Sequence, residues 1–172
     1  MVDILKPSGE ERLLATLTSG TPPPAAGTMS GPYTAFFYGT LMAPEVFFSV
    51  VYGRMNPGKV YEDLHTFHPA IVDGYVRFRV KGADYPGIIA REGESVRGVY
   101  ATGLTEANVQ KLDHFEGVEY VKEEVNVRLA DTGEEKAAPV YVYQHPAELE
   151  DQEWDFEHFK REKLALWSRS SV

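Results

Sequence analysis

The segment FFYGTLMAP, at residues 36–44, predicts a strand, a tight turn and the start of a helix in direct succession. The apolar run stops at Gly39, and Pro44 suits a first helical position because that position needs no backbone N–H donor. Since Gly39 has no Cβ, successive backbone N–H groups at the turn can converge on a carboxylate or a developing oxyanion. The second Gly and the Lys of a phosphate-binding P-loop are missing. A purely structural turn has the same pattern, so the segment alone leaves both roles open.

Beyond this turn, the apolar segments are short and separated by Gly, Pro and Asp, which indicates strands more than long helices. We predict strands at residues 34–38, 70–80 with a break at Asp73-Gly74, 87–91 and 95–101, followed by a hairpin of residues 122–129 with 138–144. Helices are predicted at residues 45–52, at 105–116, and after Asp151, where one apolar stripe contains Phe156, Phe159, Leu166 and Trp167. This pattern indicates an α+β domain rich in strands.

The first part of the chain has a different composition. Residues 8–11 have the spacing of a helix capping box, which predicts a short helix at residues 9–18. The segment TPPPAAG at residues 21–27 is typical of an extended linker. We therefore predict an N-terminal extension with a Pro-rich linker at residues 1–32 and a single domain at residues 33–172.

Composition excludes several classes of partner and chemistry. The formal net charge of −9 argues against nucleic acid and anionic membrane surfaces, and the basic pair Arg77 and Arg79 is interpreted as a solvated face or as local salt-bridge partners. The chain has no run of about 18 apolar residues, the length that spans a bilayer. The absence of cysteine excludes disulfides, thiolate metal sites and a cysteine nucleophile. Asp63, His65 and His68 form only a weak metal-binding pattern. We expect a soluble cytoplasmic protein without a metal.

A carboxylate continues the apolar stripe of the helix predicted at residues 105–116. Val109, Leu112 and Phe115 mark its buried face, and Glu116 lies in line with them. A carboxylate that faces inward must find donors or lose its charge. Partial burial, the negative end of the helix dipole and nearby Asp113 all favour the protonated form, as a general acid/base requires. Alternatively, the helix end frays and Glu116 is solvated.

Three other side chains are weaker candidates. Asp113 is at most a supporting carboxylate, because it lies at the edge of the stripe and could pair with Lys111 or His114. Tyr85 precedes a Pro-Gly turn, which leaves its side chain facing either a cavity or the core. Tyr120 also suits a place in the core.

Four segments occur in an order and spacing that resemble a known family. They are FYGTLMAPEV at residues 37–46, YPGI at 85–88, VRGVY at 96–100 and LDHFEGVEY at 112–120. The chain resembles the gamma-glutamylcyclotransferase-like family, in the branch that includes plant avirulence-induced proteins. The segment EWDFEHF at residues 153–159 also looks like that branch.

This resemblance covers residues 33–167 and implies a fold, a reaction and a set of site residues. The implied fold is a small mixed β-barrel flanked by helices. The implied reaction cyclises a gamma-glutamyl amine to 5-oxoproline with release of the amine, without a cofactor, and Glu116 is its acid/base. The loop of the family's Tyr-Gly-Thr-Leu motif binds the gamma-glutamyl group through backbone N–H groups. The candidate substrate-binding residues are Tyr38, Gly39, Thr40, Leu41, Tyr85 and Tyr120. Lys122 departs from the Arg frequent there in the family, a change that keeps the charge but loses the planar fork of a guanidinium.

Two alternatives stay open at this point. The chain could be a catalytically silent module of the same fold that binds a small metabolite or a protein, since a fold does not establish a function. It could also act on a substrate with a large leaving amine, for which residues 52–69 would supply extra contacts. We expect a monomer or a weak homodimer whose partner is a small gamma-glutamyl substrate.

Overall fold

The computed structural model describes residues 30–169, with side chains up to Leu166. The helix predicted at residues 9–18 and the linker at residues 21–27 lie outside this range and stay predictions. At the start of the described range, Ser30 Oγ donates to the carbonyl of Leu64 (2.6 Å) and Gly31 N–H donates to the carbonyl of Gly103 (3.0 Å). The start of the described chain is thus tied to the folded domain.

Five strands and five helices form this part of the protein. The strands are β1 (Tyr33–Phe37), β2 (Phe67–Arg79), β3 (Pro86–Leu104), β4 (Tyr120–Leu129) and β5 (Glu135–Tyr143), and the helices are α1 (Pro44–Tyr52), α2 (Lys59–Glu62), α3 (Glu106–Glu116), α4 (Phe156–Glu162) and α5 (Leu164–Arg169). Short 3-10 helices lie at Thr40–Met42 and Pro146–Glu148. None of the helices in the described range is long and apolar enough to span a membrane.

The strands form one sheet in the order β1-β3-β2-β4-β5, and the α+β class is confirmed. All four pairings are antiparallel. The resemblance implied a mixed sheet, and in this respect the structure differs from it. The outer strands approach each other where the hydroxyl of Tyr38 donates to the carbonyl of Tyr141. Within residues 30–169 no ladder joins β1 to β5, so the expected barrel is open.

The strands predicted separately between residues 70 and 101 form one long hairpin. β2 and β3 pair on both sides of an irregularity, where Asp73 faces Ser95 but Tyr75 faces Ala90. Between these two pairs β3 contains more residues than β2, which is the geometry of a bulge. Gly93 has φ 85°, a left-handed conformation that favours glycine. The break predicted at Asp73-Gly74 coincides with this irregularity, but it does not end the strand, because pairing resumes beyond it.

Apolar residues pack on both faces of the sheet. Successive strand residues face opposite sides, so Phe36 and Phe37 of β1 enter two different core clusters. The first cluster lies on the face covered by helices and includes Phe47 of α1 with Leu112 and Phe115 of α3. These contacts fix α3, including its last residue, Glu116, against the sheet.

Residues after Asp151 differ from the single helix that the apolar stripe predicts. The segment forms two short helices, α4 and α5, which are separated at Lys163. The φ of this residue is −116°, far from the value of about −63° that is typical of an α-helix. Phe159 is buried, whereas Phe156 and Leu166 are half-buried. The segment is anchored by Trp154, which precedes α4, is 4% exposed and lies in the first core cluster.

Removing the N-cap of α3 should lower the stability of the protein. Thr105 Oγ1 accepts from Asn108 N–H (3.1 Å), and Asn108 Oδ1 accepts from Thr105 N–H (3.0 Å). We predict that Thr105→Ala lowers the free energy of unfolding by about 1 kcal/mol, measured by urea denaturation. The control Gln110→Ala, at an exposed position of the same helix, should change it by less than about 0.5 kcal/mol. Equal losses in the two variants would contradict a capping role.

Candidate active site

One pocket brings the predicted site residues together. It is lined by Phe36, Phe37, Tyr38, Gly39, Thr40, Leu41, Tyr85, Pro86, Glu116, Tyr120 and Tyr141. Glu116 and all six candidate substrate-binding residues belong to this set. They come from the end of β1 and its turn, the start of β3, the end of α3, and strands β4 and β5. Segments far apart in sequence therefore share one cavity.

The turn after β1 presents backbone donors to this pocket. Gly39 precedes the 3-10 helix, and Met42 N–H donates back to the carbonyl of Gly39 (3.0 Å). The first N–H groups of a helix have no partner within it. Within residues 30–169, the N–H groups of Gly39, Thr40 and Leu41 donate to no backbone carbonyl. All three residues line the cavity, and N–H groups of this kind are able to hold a negatively charged oxygen.

Space, and not backbone conformation, favours glycine at position 39. Its φ of −122° is accessible to any residue. However, a Cβ on Gly39 would lie 3.1 Å from both Cγ and Cδ of Pro86, across the pocket. A side chain at position 39 would therefore crowd Pro86. This agrees with the sequence analysis, in which the absence of a Cβ leaves the backbone N–H groups accessible.

Glu116 also lines this cavity. It is the last residue of α3 and is half-buried, so the helix does not fray before it. Burial and then the negative charge of Glu116 raise the pKa of Tyr38 and of Tyr141. Burial, the neighbouring Tyr38 and Glu116 likewise raise the pKa of Tyr120. The carboxylate thus acts electrostatically on three pocket tyrosines.

Hydrogen bonds hold the hydroxyls of these tyrosines in place. Tyr38 donates to the carbonyl of Tyr141, Tyr120 donates to the carbonyl of Pro86 (2.8 Å), and Tyr141 donates to Oδ1 of Asp113 (2.8 Å). Each buried hydroxyl therefore has an acceptor, as burial of a polar group requires. The phenol groups form rigid walls around Glu116.

Asp113 supports the site from outside. Its Oδ2 accepts from Lys122 Nζ (3.0 Å), while its Oδ1 holds the hydroxyl of Tyr141. The sequence suggested Lys111 or His114 as partners, but Lys111 Nζ instead donates to a backbone carbonyl of α1 (2.9 Å). The reason is tertiary, because β4 and β5 lie beside α3. Lys122 therefore contacts Asp113, a contact that orients a pocket wall.

With the geometry in place, comparison with known proteins decides the family. The family model for gamma-glutamyl cyclotransferase, AIG2-like, matches residues 35–158, which is well over half of the chain. The chain belongs to the AIG2-like gamma-glutamyl cyclotransferase family. AIG2-like protein C of Arabidopsis thaliana is 35% identical over 130 residues, covering 75% of this chain and 70% of that protein. AIG2-like protein D of the same plant is 36% identical over 141 residues, covering 77% and 84%.

Solved structures agree with this family. A solution structure of an Arabidopsis thaliana protein has a TM-score of 0.59 and 27% identity, covering 84% of this chain and 83% of that one. A solved gamma-glutamyl cyclotransferase has a TM-score of 0.52 and 21% identity, covering 69% of this chain and 68% of that one. At that identity the second likeness shows the fold alone.

Three residues that form or support the site of this family member are not predicted from the sequence. Tyr141 is not among the candidates that the sequence offers, and Pro86 is predicted only as part of a turn, yet both line the pocket. Arg77 was interpreted as solvated or locally paired, yet its Nη1 donates to the carbonyl of Tyr38 (2.9 Å). Strand alternation could have placed Tyr141 on an inner face, but its neighbours depend on the curvature of the sheet.

The weak metal-binding pattern does not assemble. The ring nitrogens of His65 make hydrogen bonds with the hydroxyl of Tyr52 (2.6 Å) and the carbonyl of Thr102 (3.2 Å). Asp63 instead pairs with Lys59 (3.1 Å). No group of three or more His, Cys, Asp or Glu residues in the described part of the chain is placed to hold a metal ion.

The pocket tyrosines predict how stability depends on pH. The pKa of Tyr38, Tyr120 and Tyr141 is raised in the folded state, so the unfolded chain loses these protons first, above about pH 10. Stability should therefore fall as the pH rises past that value. In an alkaline titration followed by tyrosinate absorbance, these three residues should ionise only as the circular dichroism of the fold is lost. Tyr141→Phe should remove one tyrosine from this late phase. Complete ionisation of a still folded protein would disprove the prediction.

Proposed function

We propose that the protein is an enzyme of the gamma-glutamylcyclotransferase type, which converts a gamma-glutamyl amine into 5-oxoproline and a free amine. The observation that carries the proposal is one pocket with a half-buried carboxylate, Glu116, and a turn of backbone donors at residues 39–41. A carboxylate suits proton transfer, and fixed N–H donors suit a negatively charged oxygen. Membership of the AIG2-like family supports the same reaction class.

The reaction needs proton transfer and positioning. The alpha-amine of the substrate attacks its own gamma-carbonyl carbon, so a C–N bond closes the ring and the carbonyl oxygen becomes negative. Glu116 accepts the ammonium proton and delivers it to the leaving nitrogen as the original C–N bond breaks, which returns Glu116 to its carboxylate form. One amide replaces another without a change of oxidation state. The main task of the pocket is to hold the substrate folded.

The turn amides have one of two tasks. If they bind the alpha-carboxylate of the substrate, the interaction exists before and during reaction, and its loss raises KM. If they bind the oxyanion of the tetrahedral intermediate, the interaction strengthens in the transition state, and its loss lowers kcat. Tyr38, Tyr85 and Tyr120 line the walls around either arrangement and limit the shape of the gamma-glutamyl group.

A panel of gamma-glutamyl amines, including gamma-glutamyl amino acids and gamma-glutamyl-lysine, should yield 5-oxoproline from at least one member. Glu116→Gln keeps the shape of the side chain but removes its proton acceptor, so release should fall by about 10²-fold or more with the fold unchanged by circular dichroism. Exposed Glu124 provides the matched control, and Glu124→Gln should keep full activity.

The two possible failures have different meanings. A panel that gives no 5-oxoproline with the natural sequence would favour a catalytically silent binding module on this fold. Comparable release by Glu116→Gln and the natural sequence would remove Glu116 from its proposed role while keeping the reaction.

A further inference from the structure

Arg77 is a largely buried cation behind the candidate site. It lies in β2, and only 11% of its side chain is exposed. Burial lowers its pKa, with Glu153 acting in the opposite direction. Glu153 is its carboxylate partner at 3.1 Å but is itself 74% exposed, so solvent screens this pair. An ion pair of this kind compensates poorly for the desolvation of a guanidinium.

The contacts of Arg77 point toward the turn after β1. Its Nη1 donates to the carbonyls of Tyr38 (2.9 Å) and Arg97 (3.3 Å), and within residues 30–169 its Nε has no hydrogen-bond partner. The guanidinium carbon lies 5.6 Å from the ring centre of Trp154, within the range of a cation–π contact. The most specific contact of this buried cation is therefore with the peptide that opens the turn.

That contact fixes a donor on the other side of the same peptide. A trans peptide is planar, so the carbonyl of Tyr38 and the N–H of Gly39 point in opposite directions. A cation that holds the carbonyl orients the N–H and, by polarising the amide, strengthens it as a donor. Gly39 lines the pocket. We propose that Arg77 is a positioning residue, which aims the N–H of Gly39 at the substrate; this role rests on the function proposed above.

The C-terminal segment takes part in the same arrangement. Trp154 lies against Arg77 and also donates from Nε1 to the carbonyl of Asp84 (2.9 Å), directly before Tyr85 in the opposite pocket wall. One buried indole thus braces the turn through Arg77 and the Tyr85 wall through the backbone. Residues 153–159 are in this way a structural part of the site, although none of them lines the pocket.

The proposal is tested by measuring kcat/KM for the full chain that carries Arg77→Met. The rate is divided by the concentration of folded protein, so that a loss of stability does not count as a loss of activity. Methionine keeps much of the side-chain volume but removes every donor, so kcat/KM should fall by roughly 10- to 100-fold, the scale of about a 1 Å misplacement. Arg77→Lys retains the charge without the planar fork and should recover part of the loss. Arg128→Met is the matched control, because this exposed arginine pairs only with Asp73 among the described residues, and it should keep full activity. A purely structural Arg77 would lower stability but leave kcat/KM unchanged, which would overturn the proposal.

Amide NMR of the same variants gives a readout independent of turnover. In Arg77→Met the Gly39 N–H resonance should shift and exchange faster with solvent, while the N–H of Gly117, bonded to the carbonyl of Asp113 (3.1 Å), should stay in place. If the natural sequence releases no 5-oxoproline, the proposed function fails, and this measurement alone decides the role of Arg77. An unchanged Gly39 resonance would refute the positioning role.

Discussion

The hydroxyl of Tyr38 donates to the carbonyl of Tyr141, and this contact joins the two outer strands of the sheet. It forms because the sheet twists and coils until β1 and β5 face each other without a ladder. The same curvature carries the turn after β1 to the tyrosines of β4 and β5 and to the end of α3. In a flat sheet the donors at Gly39 would lie far from Glu116, and no pocket would exist.

Several groups that are costly to bury lie close together at the pocket that this curved sheet forms. A half-buried carboxylate, a buried guanidinium and backbone donors without backbone partners would each destabilise an ordinary core. Here the hydroxyls of Tyr38, Tyr120 and Tyr141 have acceptors. Among the described residues, by contrast, the N–H groups of the turn have no backbone acceptor and Nε of Arg77 has no hydrogen-bond partner. Departures of this kind from stable packing concentrate where a protein binds or reacts. The apolar clusters on both faces of the sheet supply the stability that allows them.

Local features were predictable because their causes lie within a few residues. Thr105 caps α3 and Gly117 ends it, so the bounds of this helix and the direction of Glu116 followed from spacing. The bulge between β2 and β3 was not predictable in this way. A glycine marks a strand end and a bend within a strand equally well, and only the pairing of the partner strand separates the two. The apolar stripe after Asp151 also reflects only local periodicity, which predicted one helix, whereas the structure has two, α4 and α5.

Sequence alone was enough for the α+β class, the strand-turn-helix at Gly39 and the inward placement of Glu116, since each depends on periodicity, capping or the absence of a side chain. Tertiary structure decided which residues surround that carboxylate. Tyr141, Pro86 and Arg77 reach the site through strand pairing and sheet curvature between segments distant along the chain. Such contacts depend on how a whole sheet coils, and no short stretch of residues contains that information.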